Sequence, residues 1–173
     1  MVHLSGEIRA VLTTTTERWL GLTAAFSVAA LEQTPAPGEW SAAECLRHLI
    51  YTEKDVFPRR VRNFLAGEDI AGFDPASEAE DYSGLNLTEL ATEFARLRAR
   101  NLSLIGGIQP TDLERSGVHN ELGPVTLGQL LQTWAAHDLN HTMQAERALM
   151  QPFIAASGAW RIRFEELVLP KAQ

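Results

Sequence analysis

The sequence predicts an all-α fold: a four-helix bundle with two long crossover connections and a short C-terminal helix. Apolar residues recur at helical spacing over four long stretches, and the period-two alternation that marks strands is almost missing. Two connections, 67–85 and 108–125, are long enough to run along a bundle rather than join neighbours by tight hairpins. At 173 residues, the chain is expected to form one domain over 1–173.

In the first helix, Ile8, Leu12, Thr15, Trp19, Leu22, Phe26 and Ala29 form the inward stripe. That helix is expected to continue until Thr34, where two prolines prevent further helix. The second begins at Ser41, whose spacing to Glu44 is that of a capping box. Ala42, Cys45, Leu46, Leu49, Val56 and Phe64 mark its buried side. The connection after it carries Glu68, Asp69, Asp74, Glu78, Glu80 and Asp81 without a basic residue, and reads as a solvated connector.

The third helix is expected over 87–105, with Asn86 and Glu89 at its start and Gly106-Gly107 at its end. Leu90, Phe94, Leu97, Leu104 and Ile105 face inward, with Asn101 as the polar residue of that stripe. The fourth opens at Thr126, with box spacing to Gln129, and Pro152 is expected to stop it. Residues 157–169 read as a short amphipathic helix carrying Trp160 and Phe164.

The apolar fraction of 45% and charged fraction of 21% are those of an ordinary globular domain. No stretch approaches the run of about 18 apolar residues that a membrane span needs. The first residues lack a basic segment followed by an apolar one, so no secretion signal is expected. Cys45, the single cysteine, cannot form an internal disulfide, which fits a reducing cytoplasm. A net charge of −7 argues against nucleic acid as a partner. The groups Arg59, Arg60, Arg62 and Arg96, Arg98, Arg100 read as solvated helix faces.

The chemistry concentrates at His137 and His141 in the fourth helix. Four residues apart, they share a face, with Cβ atoms roughly 5–6 Å apart. That face is the inward one, because Leu127, Leu130, Leu131, Trp134, Ala145 and Ala148 follow the same stripe. Polar groups pointing inward need partners. His48, near the edge of the buried stripe of the second helix, can supply a third nitrogen where the two helices approach. Three neutral imidazoles make a good shell for a divalent transition metal and leave a position open for water or substrate. Zinc or nickel suits them better than magnesium.

Two segments, Trp40-Ser41-Ala42-Ala43-Glu44-Cys45-Leu46-Arg47-His48-Leu49 and the run from Gly123-Pro124-Val125-Thr126-Leu127 to His137-Asp138-Leu139-Asn140-His141, strongly resemble the DinB-like superfamily. The resemblance implies a four-helix bundle, usually a homodimer, with a divalent metal on His48, His137 and His141. It further implies a metal-dependent transferase or isomerase that uses a low-molecular-weight thiol on a small-molecule substrate. The alternatives are a hydrolase using metal-bound hydroxide, and a non-catalytic metal- or ligand-binding domain. Trp160 and Phe164 on the terminal helix add to the expectation of a homodimer.

Other residues divide by chemistry. Cys45 reads as a small core residue rather than a fourth ligand, and Trp40 and Trp134 as core, with Trp134 close enough to His137 to wall the site. Glu44, Asp138, Gln144 and Asn101 are candidates to hold a histidine's second ring nitrogen. His3 and His119 are expected to face solvent.

Overall fold

The computed structural model describes residues 6–70, 72 and 84–170. His3 and most of the acidic connection lie outside the described residues. Four long helical units form the bundle: α1 (Gly6–Ala25), a rod made of α3 (Ala42–Tyr51) and α4 (Phe57–Ala66), α5 (Leu87–Gly106) and α6 (Leu127–Ala156). A short α2 (Val28–Glu32) lies in the first link. α1 packs on α5 and α6, and α3 packs on α6 and α5. α1 and the rod therefore stand across one diagonal, and α5 and α6 across the other, so the links within these two pairs cross the bundle, while the rod and α5 are neighbours.

The predicted caps form as expected. Ser41 Oγ accepts from the Glu44 N–H at 3.2 Å while the Glu44 carboxylate accepts from the Ser41 N–H at 2.7 Å. The same reciprocal box opens α5 at Asn86 and Glu89, and α6 at Thr126 and Gln129. Each satisfies backbone donors that a helix start leaves open.

Several local expectations are corrected. The first helix breaks after Ala25 and restarts at Val28, with Ser27 Oγ accepting from Ala30 N–H. The restart leaves Ala29 exposed and buries Leu31 instead. Pro152 does not end α6, which continues to Ala156. There, Ile154 is buried, and the Gln151 amide donates to the carbonyls of Arg147 and Leu167 while accepting from Leu169 N–H. This docking outweighs the proline's cost of about 3 kcal/mol. Residues Gly158–Leu167 wind as a 3₁₀ helix rather than an amphipathic α-helix, because none of them is buried and Trp160 is 71% exposed.

The second long connection contains a 3₁₀ turn (Pro110–Glu114) and a hairpin of β1 (Ser116–His119) and β2 (Gly123–Thr126). Gly123 takes φ +77°, a left-handed conformation open to glycine, where the turn closes. The hairpin buries His119, contrary to its expected solvent exposure, and its Nδ1 accepts from the Glu121 N–H at 3.2 Å. Asp69 pins the hairpin to the end of α4, its carboxylate accepting from Val118 N–H at 3.0 Å.

The rod's interior is built around Pro58. Thr52–Val56 forms a π turn, in which Phe57 N–H reaches back five residues to Thr52 O. In that register Glu53 O should accept from residue 58, but proline has no N–H. Asn101 supplies the missing donor, its Nδ2 lying 2.7 Å from Glu53 O and 3.0 Å from Glu53 Oε1.

Arg98 occupies the core between two apolar clusters, one including Trp19, Leu46, Leu90 and Phe94, the other Leu12, Phe57, Leu131 and Trp134. This corrects the solvated-face reading, since Arg98 is 1% exposed. Its Nε and Nη2 donate to Glu53 at 2.8 and 2.7 Å, and its Nη1 donates to Asp138 at 2.7 Å and to Leu12 O at 2.6 Å. The guanidinium also lies over the rings of Phe94 and Trp134, at 5.0 and 5.7 Å. Burial works against its charge, but Asp138 and Glu53 outweigh burial and hold its pKa above the usual value. Burial pushes the Asp138 carboxyl up to about 6, against the pull of Arg98.

Arg98→Met should strand two buried carboxylates and cost about 3–5 kcal/mol. Asn101→Ala should cost about 1–3 kcal/mol, as a buried carbonyl loses its donor. Urea unfolding midpoints measure both, and near-unchanged midpoints would show that these groups reach water.

Candidate metal centre

His48 sits in the second turn of α3, and His137 and His141 are one turn apart on α6, which packs against α3. The three rings meet, with centroids 5.1 Å apart for His48 and His137, 4.6 Å for His48 and His141, and 4.5 Å for His137 and His141. One possible ligand atom from each lies within 4.8 Å of the other two. The Nε2 atoms of His48 and His137 are 3.1 Å apart.

Neighbouring groups fix the rings unequally. His141 Nδ1 lies 3.0 Å from Gln144 Oε1, an acceptor, so this nitrogen carries the proton and Nε2 keeps its lone pair. Gln144, of the four candidates, thus holds the second ring nitrogen of His141. Glu44 is held in the cap of α3, and Asp138 and Asn101 belong to the Arg98–Glu53 network. Trp40 is half-buried, packing against the apolar core and lining the site as well. Its indole stacks on His141 at 5.5 Å and meets His48 edge-on at 5.1 Å. Phe57 meets His137 edge-on at 5.2 Å and stacks on Trp134 at 4.8 Å. His48, with Trp40, Glu44 and Arg47, lines an open groove of about 270 Å³.

The arrangement fits a cation. Zinc holds imidazole nitrogens at about 2.0–2.1 Å, which puts neighbouring ligand atoms of a tetrahedron about 3.3 Å apart. Two facing ring nitrogens already stand near that separation. His137 Nδ1 is buried with no hydrogen-bond partner among the described residues. Burial, followed by the neighbouring His141, His48 and Arg98, lowers its pKa from 6.5 to about 3, so the ring is neutral and its nitrogens can donate electron pairs. Cys45 stands apart from the cluster, and burial, with Glu44, pushes its thiol up to about 12. It is the small core residue expected.

Sequence reasoning passed over Glu53 and Arg98, which take no part in the cluster but surround the Trp134 side of it. Their signal was position. Glu53 follows Leu49 by four residues and Arg98 follows Phe94 by four, each inside an apolar stripe.

The metal-free protein should lose stability in acid through His137. Its folded pKa lies below the unfolded value, so its contribution is complete above pH 6.5 and declines as pH falls toward 3. Asp138 opposes this, because its raised pKa gives a contribution present below pH 3.8 and lost as pH rises through about 6. Comparing thermal midpoints of wild type and His137→Gln isolates the histidine. Parallel pH profiles would place His137 in water.

The comparisons agree with this geometry. The family model of the DinB superfamily matches residues 12–145. No curated protein matches this chain. The fold is similar to that of YfiT from Bacillus subtilis, described as a probable metal-dependent hydrolase with an unusual four-helix bundle topology. The TM-score is 0.72 at 16% sequence identity, over 86% of each chain. A matched family model spanning both histidine-bearing helices, on a bundle of this topology, makes the chain a member of the DinB superfamily.

Proposed function

We propose that this protein is a metal-dependent enzyme that holds one divalent transition metal, zinc or nickel, on His48, His137 and His141. The observation that carries this reading is the convergence of three imidazoles from two facing helices, with ligand atoms within 4.8 Å of one another. A divalent ion there supplies Lewis acidity, attracting an anionic group and lowering the pKa of a thiol or a water.

The chain's own residues set the conditions for that chemistry. Burial keeps His137 neutral, Gln144 orients His141, and Trp40 covers one side of the pair His48 and His141. All three ligands are uncharged, so the positive charge of the ion is left to attract substrate. The nearby carboxylates are engaged elsewhere, Glu44 in a cap and Glu53 and Asp138 with Arg98. The reaction that suits this site is attack by a low-molecular-weight thiol on a small electrophile, an S-transfer. Hydrolysis is the second reading, supported by the description of YfiT. The same proposal includes a homodimer, which light scattering tests independently.

Elemental analysis of protein purified without chelator should find about one metal per chain. His137→Ala and His141→Ala should remove it, and Gln144→Ala should weaken binding about tenfold. Full occupancy in both histidine variants would place the ligands elsewhere. Consumption of an electrophile that requires added thiol identifies S-transfer, and thiol-independent consumption identifies hydrolysis.

A further inference from the structure

His48 and Glu53 stand five residues apart on one rod, and His137 and Asp138 are neighbours on α6. Arg98, from α5, grips Glu53 with two N–H groups and Asp138 with another, all at 2.7–2.8 Å. A guanidinium presents its donors in fixed directions. One side chain therefore sets how the two histidine-bearing helices stand relative to each other. A second path runs through rings. Glu53 Oε2 accepts from Trp134 Nε1 at 3.2 Å, Trp134 lies parallel to Phe57 within 6°, and Phe57 meets His137 edge-on.

We propose that Glu53 is a positioning residue for the three-histidine centre, holding His48 and His137 in converging register through Arg98 and through Trp134 and Phe57. This rests on reading the three histidines as a metal centre. Functional constellations need placement within about 0.5 Å, whereas apolar helix faces tolerate repacking. The ionic network supplies the discrimination that the surrounding leucines lack.

The test compares the full-length wild type with Glu53→Gln and with Phe64→Ala. Phe64 is fully buried near the hairpin, its ring 3.6 Å from where a Cβ at Gly117 would stand, and its loss lowers stability at the far end of α4. Cobalt(II) is the probe, with affinity read by chelator competition and geometry by its visible absorption. Imidazole nitrogen resonances of the metal-free protein give a second readout. Glu53→Gln should weaken cobalt binding about tenfold or more and shift the ring resonances of His48 and His137. Phe64→Ala should leave both nearly unchanged.

A triple variant, Arg98→Met with Glu53→Leu and Asp138→Leu, should recover the thermal midpoint yet still bind cobalt weakly. If Glu53→Gln fails to fold, this variant carries the comparison. Cobalt binding and ring resonances like those of wild type in Glu53→Gln or the triple variant would overturn the proposal. So would equal weakening by Phe64→Ala, which would make any loss of stability sufficient. Failure of wild type to bind cobalt would instead overturn the metal reading, and the ring resonances alone would then decide the role of Glu53.

Discussion

The guanidinium of Arg98 must find two carboxylates and a carbonyl on three other helices at once, and that requirement governs how the bundle closes. Taking charges out of water costs several kcal/mol per ion, so such a network is weak evidence for stability as such. Its contribution is to selectivity among packings. Two apolar faces can slide past one another with small changes in burial, but a buried cation that misses its partners is severely penalised. The apolar clusters on either side of Arg98 supply the driving force for collapse. The ions between them define which collapsed arrangement is acceptable.

The histidine cluster lies next to this ionic layer, separated from it by Phe57 and Trp134. The two polar layers solve opposite problems. In one, a single guanidinium is shared by two carboxylates, and only Asp138 Oδ1 of that layer lacks a hydrogen-bond partner among the described residues. In the other, three imidazoles are crowded together and their ring nitrogens converge on one point. A bundle that buries both keeps them apart with aromatic rings, which tolerate contact with a cation on a face and with an imidazole at an edge.

Much of this was legible in the sequence. The four stripes, the three capping boxes and the inward-facing His137 and His141 follow from spacing alone, because each depends on residues within a turn or two. His48 as their partner and the crossed links follow from a buried stripe and two long connections, and the resemblance agrees with both. What escaped were features whose cause is tertiary. Arg98 was grouped with Arg96 and Arg100, although alternate positions on a helix point about 200° apart and only Arg98 shares the stripe of Phe94 and Asn101. Pro152 and the segment after Ser157 were judged by local propensity, which docking overrode at the first, while missing burial left the second without a face. Trp40 packs on the core as its sequence suggests, but nothing in a linear pattern shows that its ring also lies against His141.

The pairing of Pro58 with Asn101 has a consequence for how this chain can change. Proline at 58 creates the need that asparagine at 101 meets, so the two positions are contingent on one another across 43 residues of sequence. With a residue that has its own N–H at 58, the rod regains a backbone donor, and the amide at 101 becomes partly redundant. With proline retained, any apolar residue at 101 leaves a bare carbonyl in the core. The order of substitution therefore matters: a path that alters 58 first is open, and one that alters 101 first passes through a damaged protein. Sequence space around this bundle is directional at that point, a one-way step written by a single missing hydrogen.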